Sequence, residues 1–384
     1  MNMKNRLAIV FTMLLWIRIS TPAAGLDFPM ERQVIQRNAE EWAEVTVAGT
    51  APADTTVVEV KADLGAGFRG KAADWTIVAQ GAQLRDGKFS GSLKLATGGW
   101  YSLKVRFRKS TADQSVLGEA SVAQVGVGDV FVTAGQSNSA NYGNPRQKAK
   151  DDRVVYFDGR RFVPAQDPIP GGSGGGGSPW ALLGDRITTS QQIPVCFRSA
   201  SLHWTEVAAW LPPDTQLYRN LVACVRPFGT NGVRAVLWHQ GESDTLVKTS
   251  AEAYCARVRT IVETLNKDAG YNEIPWLVAQ ASFHPGSKAP EQQLVAKGQQ
   301  LLWERKICRP GPVTDDLLGA EFRHDGVHFN QKGLATHADR WFEALRSAFQ
   351  WKTYSSTSPE AGVKRVDRQV AVEIAPGKPS ESIR

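Results

Sequence analysis

Three polar segments of the sequence carry side chains that could cooperate in acyl transfer. Ser137 lies in the segment GQSN, residues 238–244 read WHQGESD, and Asp325 and His328 lie three residues apart in the segment DGVH. A serine hydroxyl is a poor nucleophile until a nearby base accepts its proton, and a carboxylate improves that base by fixing its tautomer. We therefore predict that Ser137 attacks an acyl group, that His328 takes and returns the proton, and that Asp325 orients His328.

Each segment alone also has a purely structural explanation. A glycine followed by Ser and Asn after a strand is typical of a turn in which the serine caps a helix. His239 competes with His328 as the base, and Ser243 competes with Ser137 as the nucleophile. What favours the catalytic interpretation is that all three segments occur together, in the order Ser, Asp, His. Three other histidines, taken one at a time, are interpreted as loop residues: His203, His284 and His324.

The elements around these segments must bring them to one place. After about residue 126, short apolar runs alternate with longer helical stretches, which predicts a parallel sheet with helices on both faces. Because the carboxyl ends of parallel strands lie along one edge, polar segments that follow different strands are expected to meet in one cleft. The predicted strands are Val130–Thr133, Val154–Phe157, Pro194–Ser199, Ala235–Trp238 and Trp276–Ala279, and the predicted helices are Pro179–Ser190, Thr215–Phe228, Ser250–Lys267, Glu291–Lys306 and Gly333–Phe349.

Residues 26–125 show a different pattern, in which short segments of period two are separated by turn residues. This pattern predicts half-buried strands in a small β-sandwich domain. We assign residues 126–350 to the catalytic domain. Residues 351–384 are rich in Ser, Pro and mixed charge, which predicts a disordered tail. The clearest strand segments of the first domain are 55–60, 88–95 and 100–107.

Residues 1–24 are typical of a cleaved export signal. Lys4 and Arg6 precede an apolar stretch over residues 7–17, and small residues follow at 21–24. The apolar stretch is too short to span a bilayer comfortably, so a secreted or periplasmic protein is expected rather than one anchored through residues 7–17. No later segment resembles a membrane span, and no stable membrane partner is expected.

The charge of the chain gives little support to an acidic partner. Cleavage after residue 24 would remove three basic residues and no acidic ones, which lowers the formal net charge from +7 to +4. The sequence contains no compact Lys/Arg run with interleaved aromatic residues. Nucleic acid is therefore not expected as a ligand.

The four cysteines are widely and irregularly spaced. In an oxidising compartment they could form one or two disulfides, with three possible pairings if both form. Their spacing contains no CxxC, so a zinc site is not expected. The cysteines are Cys196, Cys224, Cys255 and Cys308.

The stretch GGSGGGGS at 171–178 has the composition of a flexible linker. It lies inside the region of alternating strands and helices. We interpret it as a mobile surface loop, and as filler rather than as a border of the site.

The three polar segments resemble those of the SGNH-type hydrolases, and specifically of the sialate O-acetylesterase-like and acetylxylan-esterase-like carbohydrate esterases. The resemblance rests on GQSN at 135–138, WHQGES at 238–243 and DGVH at 325–328. It covers most of residues 126–349 and extends loosely to GGWY at 98–101. It implies a flavodoxin-like α/β/α sandwich that removes acetyl groups from sugar hydroxyls without a metal or organic cofactor.

The resemblance also implies roles for individual residues. Ser137, His328 and Asp325 become nucleophile, base and orienting acid. The backbone N–H of Ser137 and the side-chain amide of Gln240 become candidates for the oxyanion hole, which must aim donors at the charge developing on the carbonyl oxygen. Possible substrate contacts are Gln136, Asn138, His239 and Glu242, and candidates for a sugar-stacking wall are Trp204, Trp210 and Trp238.

Two departures from the family pattern affect the oxyanion hole. Relatives commonly carry Gly-Gly-Thr where residues 201–205 read SLHWT, so the backbone N–H of Trp204 is the remaining candidate donor there. The superfamily's usual Asn of the third block is also missing, because GESD stands at 241–244. Loss of one donor typically costs about 3–4 kcal/mol of transition-state stabilisation, so an imperfect hole predicts a slow enzyme before an inactive one.

The sequence as a whole predicts an exported carbohydrate O-acetylesterase that acts on an acetylated carbohydrate. The altered stretch at 201–205 favours one rival, a glycan-binding or scaffolding protein that keeps the fold without turnover. A lipid or thioester hydrolase of the same superfamily is a second rival, against which the GQSN and WHQGE motifs argue.

Overall fold

Short strands fill the first third of the described chain, and strands alternate with helices in the remainder. The computed structural model describes residues 24–113 and 115–354. The predicted signal peptide up to residue 23 and the predicted tail from residue 355 lie outside the described residues. The strands are β1 (Gly25–Phe28), β2 (Gln33–Gln36), β3 (Trp42–Thr50), β4 (Val57–Leu64), β5 (Ala73–Gln80), β6 (Leu84–Arg85), β7 (Lys88–Ala96), β8 (Gly98–Arg108), β9 (Val116–Gly135), β10 (Val154–Phe157), β11 (Phe162–Pro164), β12 (Val195–Ser199), β13 (Ala235–His239), β14 (Trp276–Gln280) and β15 (Arg309–Val313). The helices are α1 (Trp180–Gln191), α2 (Gln216–Val225), α3 (Glu242–Leu246), α4 (Ala251–Ala269), α5 (Ala289–Glu304), α6 (Gly319–Phe322) and α7 (Gln331–Ala348).

The five strands and five helices predicted after residue 126 are all present, and most of their ends differ by only a few residues. The sequence patterns did not predict β11, β15, α3 or α6. The strand β15 reads RPGPV, and its two prolines and one glycine conceal it. Proline cannot donate to a ladder and is confined to sheet edges, and β15 is the edge strand of its sheet.

The central sheet has the strand order of a flavodoxin-like fold. Six parallel strands lie in the order β10–β12–β9–β13–β14–β15, of which the last five show the flavodoxin-like order, and β11 pairs antiparallel with β10 at the edge of the sheet. The direction of winding reverses between β9 and β13. Open sheets of this kind bind ligands at the carboxyl ends of the strands next to such a reversal, so this edge is where a site is expected.

Helices cover both faces of the parallel sheet because its strands alternate two sets of apolar residues. Val132 and Trp238 face the cluster built with α2, α4 and α5, whereas Phe131 and Leu237 face the cluster built with α1 and α7. The predicted three-layer α/β/α architecture is therefore confirmed. No helix in the described part of the chain is long and apolar enough to cross a membrane.

A small β-sandwich precedes this layer structure, as predicted. One sheet has the order β1–β3–β7–β6, and the other joins β5, β4 and β8 to β9. Residues from both sheets, among them Val45 and Val60, share one apolar cluster. The boundary predicted after residue 125 falls within β9, and the division into domains stays a prediction.

The disulfides that an oxidising compartment would allow are not formed. All four cysteines are buried free thiols. Burial raises the pKa of each thiol, which disfavours the reactive thiolate.

A buried ion cluster fixes β9 at the junction of the two sheets. Asp129 is fully buried, and its carboxylate accepts hydrogen bonds from Arg37 at 2.9 Å through both oxygens and from Arg234 Nε at 2.8 Å. Arg37 follows β2, and Arg234 precedes β13. Although burial alone would raise the pKa of Asp129, the Arg234 and Arg37 guanidinium groups hold it well below its ordinary value.

We expect Asp129→Asn to lower the free energy of unfolding by about 3–5 kcal/mol at pH 7, because two guanidinium groups lose their charged partner. Since the pKa is depressed in the folded state, the carboxylate stabilises the fold above its unfolded pKa of about 4, and this contribution decreases as the pH falls further. Urea denaturation of parent and variant at pH 7 and at lower pH measures both effects, and the difference should shrink in acid.

The matched control is Glu263→Gln on the exposed face of α4. Glu263 pairs with Arg259 at 2.7 Å, and both side chains are more than half exposed. Removing such a surface pair costs about 0.5 kcal/mol or less. Equal destabilisation by the two variants would contradict the role given to Asp129.

Candidate active site

Ser137 lies in a tight turn directly after β9. Gly135 ends the strand with φ +129°, and a Cβ atom there would lie 2.0 Å from the carbonyl oxygen of His239 on β13. The N–H of Gln136 donates to that same carbonyl at 3.0 Å. A 3₁₀ turn then begins at Ser137 and ends at Ser139. Only glycine allows β9 to approach β13 this closely and the chain to turn there.

The nucleophile candidate has two unused polar groups. Within the described residues, neither the hydroxyl nor the backbone N–H of Ser137 makes a hydrogen bond. The residue is 6% exposed. Its hydroxyl thus makes no hydrogen bond to His328 in this state, and such bonds often tighten only once substrate binds.

Asp325 and His328 form a hydrogen-bonded pair on the loop before α7. One carboxylate oxygen of Asp325 accepts the N–H groups of Val327 at 2.9 Å and His328 at 2.6 Å, and the other lies 2.6 Å from His328 Nδ1. Although partial burial opposes ionisation, these bonds lower the pKa of Asp325 to about 2. The ionised carboxylate holds a proton on Nδ1 and leaves the Nε2 lone pair of His328 free to act as a base.

Several contacts hold the serine turn beside the histidine loop. The side-chain amide of Asn138 donates to the Val327 carbonyl at 3.4 Å. Further along, the Asn144 N–H donates to the Phe329 carbonyl at 3.0 Å. The Tyr142 ring packs against the His328 ring with centroids 5.2 Å apart. Two segments nearly 190 residues apart therefore meet at the carboxyl edge of the sheet.

The side chain of Gln240 does not point into the site. Its amide nitrogen donates to Asp244 at 2.6 Å and to the Thr205 carbonyl at 2.9 Å, and its oxygen accepts from the Tyr254 hydroxyl at 3.0 Å. Because Gln240 is fully buried and its amide donors are engaged, this geometry argues against its predicted role as an oxyanion donor.

The four residues expected to contact substrate are buried instead. Gln136 accepts the N–H of Ser243 at 3.1 Å, and Asn138 donates to Glu242 at 3.0 Å. The Nε2 atom of His239 lies 3.3 Å from the same Glu242 oxygen. None of the four is more than 6% exposed, so they brace the site from behind rather than line it.

The rivals for nucleophile and base are poorly placed for substrate. Ser243 is buried, and its hydroxyl has no hydrogen-bond partner among the described residues. His239 is fully buried, and its ring faces Glu242. These positions favour Ser137 and His328 over them.

The altered stretch at 201–205 runs alongside the serine turn. The Leu202 N–H donates to the Gly135 carbonyl at 3.0 Å, and the His203 N–H donates to the Ser173 hydroxyl at 3.0 Å. Trp204 adopts φ +53°, and in the described chain its own N–H has no partner. Trp204 therefore remains a candidate oxyanion donor.

Only one of the three candidate stacking tryptophans is available at the surface. Trp210 and Trp238 are fully buried in the core, with their rings in edge contact at 5.0 Å, so their predicted role is wrong. Trp204 is 66% exposed, and its indole meets the His284 ring edge-to-face at 5.7 Å.

The glycine-rich stretch at 171–178 is not the mobile filler that its composition predicts. A Cβ atom on Gly177 would lie 2.1 Å from the Pro145 carbonyl oxygen, so this position requires glycine. The Ser173 hydroxyl holds the N–H of His203. The stretch packs against the segments that follow β9 and β12 and therefore borders the candidate site.

One group of the described residues could hold a metal ion, namely His324, Asp325 and His328, whose ligand atoms lie within 4.8 Å of one another. The Asp325 and His328 atoms are only 2.6 Å apart, closer than the roughly 3.3 Å between two ligands of a tetrahedral ion. His324 Nε2 lies 3.0 Å from the Tyr142 carbonyl oxygen. The predicted absence of a metal cofactor stays a prediction.

Comparison with known proteins identifies relatives of both the sequence and the fold. Residues 127–347 match the family model described as carbohydrate esterase, sialic acid-specific acetylesterase. No curated protein matches the sequence. A carbohydrate acetylesterase from Xanthomonas citri has a similar structure at 18% identity and a TM-score of 0.55, covering 84% of this chain and 74% of that one.

Two further solved structures are more distant. A protein from Arabidopsis thaliana is 17% identical with a TM-score of 0.46, covering 58% of this chain and 98% of its own. A family two carbohydrate esterase from Clostridium thermocellum, in complex with cellohexaose, is 9% identical with a TM-score of 0.40, covering 81% of this chain and 94% of its own.

We expect Gly135→Ala to destabilise the protein by several kcal/mol and to abolish ester hydrolysis, because the added methyl group must displace the His239 carbonyl and with it the Ser137 turn. Thermal unfolding and hydrolysis of p-nitrophenyl acetate measure the two effects.

Gly67→Ala is the matched control for this substitution. Gly67 also has a positive φ, +78°, but a Cβ atom there would meet nothing within 4 Å. It should cost about 1 kcal/mol from backbone strain alone and leave the activity intact. Parent-like activity in Gly135→Ala would show that the close approach to β13 does not position Ser137.

Proposed function

The chain belongs to the carbohydrate esterase family of sialic acid-specific acetylesterases, and on that premise we propose that it removes O-acetyl groups from carbohydrates with Ser137 as nucleophile. A carbohydrate acetylesterase is a carboxylic ester hydrolase. The observation that carries the proposal is the Asp325–His328 pair, held at 2.6 Å on a loop that packs against the Ser137 turn.

The proposed reaction is a two-step acyl transfer. His328 Nε2 accepts the proton of the Ser137 hydroxyl as its oxygen bonds to the acetyl carbon, and the carbonyl oxygen becomes an oxyanion. The intermediate collapses with cleavage of the bond to the sugar oxygen, which takes the proton from His328. Water, deprotonated by His328, then attacks the acetyl-enzyme, and acetate leaves as Ser137 recovers its proton.

The oxyanion would be stabilised by backbone donors. The N–H groups of Ser137 and Trp204 support this assignment because both lack partners in the part of the chain that the structure describes. A preorganised donor stabilises the transition state most when it does not have to break another hydrogen bond to reach the oxyanion.

The proposed substrate is an acetylated sialic acid or polysaccharide rather than a free alkyl ester. The exposed indole of Trp204 supports this, because an aromatic face beside the catalytic residues offers a surface on which a sugar ring can stack. Export through residues 1–24, and with it an extracellular or periplasmic substrate, remains part of this proposal.

We expect Ser137→Ala and His328→Ala each to lower kcat for p-nitrophenyl acetate by several orders of magnitude, and Asp325→Asn by about 10³–10⁴-fold, because the asparagine selects the wrong histidine tautomer. Acetate release from acetylated polysaccharides and from p-nitrophenyl acetate measures the effect.

Ser243→Ala is the control, since it removes the rival hydroxyl and should leave kcat close to that of the parent. A parent no faster than Ser137→Ala would contradict the proposed function. Glycan binding retained under that outcome would favour a binding protein with a hydrolase fold.

Trp204→Ala should raise KM for acetylated oligosaccharides by about 3–10-fold and leave kcat/KM for p-nitrophenyl acetate nearly unchanged, because the variant loses the stacking surface but keeps its backbone N–H. Leu202→Ala, which truncates an exposed neighbour, serves as control. An equal loss on both esters would show that Trp204 shapes the oxyanion hole and not a sugar site.

A further inference from the structure

A connected set of buried polar side chains lies directly behind the Ser137 turn. The side-chain amide of Asn138 donates to Glu242 Oε1 at 3.0 Å and to the Val327 carbonyl at 3.4 Å. Asn138 follows the nucleophile candidate in the chain, and Val327 precedes the base candidate. One side chain thus bridges the two loops that must meet for proton transfer, and it is held on a third segment.

Glu242 is the acceptor that holds this bridge. The residue is 2% exposed, and its Oε1 accepts the hydrogen bond from Asn138 and lies 3.3 Å from His239 Nε2. Although burial disfavours the charged form, hydrogen bonding to His239 and Asn138 lowers the pKa of Glu242 below its ordinary value. Within the described residues, the carboxylate touches neither the Ser137 hydroxyl nor the His328 ring, so it acts on them only through other groups.

The far end of the set is fixed in α7. The His239 ring packs on the His337 ring with centroids 4.7 Å apart, and Trp341 Nε1 donates to His337 Nε2 at 2.9 Å. Burial lowers the pKa of His337 well below its ordinary value, so this histidine stays neutral. The connected set of side chains therefore extends from His337 in α7, through His239 and Glu242, to Asn138 at the edge of the site.

We propose that Glu242 is a positioning residue, which fixes through Asn138 the separation and angle between the Ser137 turn and the His328 loop. The inference rests on the proposed function and deepens it. Both hydrogens of the Asn138 amide are engaged, one on a carboxylate and one on a backbone carbonyl, so the side chain has one orientation. Without the Glu242 carboxylate, the Asn138 amide can rotate, and the distance between the Ser137 turn and the His328 loop is no longer fixed.

The effect of such a loss falls on the chemical step. A displacement of about 1 Å between nucleophile and base can cost about 10²-fold in rate. Binding of a small ester makes little use of that geometry, so its KM should change little. The Glu242 carboxylate, the Asn138 amide and the Val327 carbonyl act as one unit. Removing either side chain should therefore lower the rate as much as removing both.

The test uses the full-length protein with p-nitrophenyl acetate and compares Glu242→Ala, Asn138→Ala and the double variant. Each single variant should lower kcat about 10²-fold with KM within about twofold, and the double variant should be no slower than the slower single one. Glu242→Gln keeps an oxygen acceptor for Asn138 and should recover most of the lost rate. Should Glu242→Ala fail to fold, Asn138→Ala and Glu242→Gln carry the test.

Two further readouts separate positioning from general destabilisation. The rate at which a p-nitrophenyl phosphonate modifies Ser137 should fall in parallel with kcat, whereas the apparent pKa of the kcat/KM profile should stay where it is in the parent. Tyr218→Phe is the control, because it removes a partly buried hydroxyl that donates to Asp268 of α4 at 2.6 Å, which should lower stability without changing any contact of the site. Its kcat should match that of the parent.

Parent-like kcat in Glu242→Ala, or additive losses in the double variant, would overturn the proposal. A shift of the pH profile in Glu242→Gln would overturn it too, since Glu242 would then titrate as part of the catalytic set. A parent that neither hydrolyses the ester nor reacts with the phosphonate would instead contradict the proposed function itself, and the inference with it.

Discussion

One strand belongs to two sheets, and the remainder of the structure depends on it. The first part of β9 pairs antiparallel with β8 in the sandwich, and its last residues lie parallel between β12 and β13. A strand of 20 residues cannot bend freely at its middle without breaking its ladder on both sides. Asp129 marks the crossing, where Arg37 and Arg234 neutralise a carboxylate that would otherwise be costly to bury. The place at which β9 ends, and hence the position of Ser137, is fixed by both sheets together.

The site at that strand end combines buried polar side chains with the more exposed pair of Asp325 and His328. Gln136, Asn138 and Glu242 are nearly inaccessible, whereas Asp325 and His328 lie on a loop open to solvent. This division suits the proposed acyl transfer, because the groups proposed to set the geometry are protected from water while those proposed to move protons remain reachable. This buried set of polar side chains costs folding stability. Three of its atoms have no hydrogen-bond partner among the described residues, namely Glu242 Oε2, His239 Nδ1 and the Asn138 oxygen. Unsatisfied buried groups of this kind are typical of sites where stability is exchanged for function.

The stretch SLHWT at 201–205 places a bulky residue in a backbone conformation that favours glycine. Trp204 takes the left-handed φ that a glycine would adopt easily, and its N–H stays without a partner in the described chain. The cost of that conformation is of order 1–3 kcal/mol for a residue with a side chain. Hydrogen bonds from the N–H groups of Leu202 and His203 hold the backbone that leads into Trp204 and so help to offset this cost. The large side chain projects outward, where the proposed function uses it as an aromatic surface for a sugar ring.

The sequence by itself determined the family, the fold class and the order of the main elements. Periodicity revealed strands and helices because each has one buried face, and the three motifs stood at strand ends where polar residues are otherwise unexpected. Composition misled where contacts override it, as for the glycine-rich stretch at 171–178, which close backbone packing holds in place. β15 was missed because its prolines contradict strand propensity, and only its place at the sheet edge permits them.

Only the tertiary structure decided which side chains of each motif a substrate can reach. A linear pattern places Gln136, His239, Gln240 and Glu242 near the site but does not indicate on which side of the backbone each one lies. Tyr254 of α4 donates to the Gln240 oxygen, the His239 ring packs on His337 of α7, and Gln136 and Glu242 accept hydrogen bonds from Ser243 and Asn138. The indole of Trp204 lies outward, 66% exposed, with the edge of the His284 ring as its neighbour. The sequence thus specifies the chemical groups of the site, and burial and hydrogen bonding specify which of them a substrate can reach.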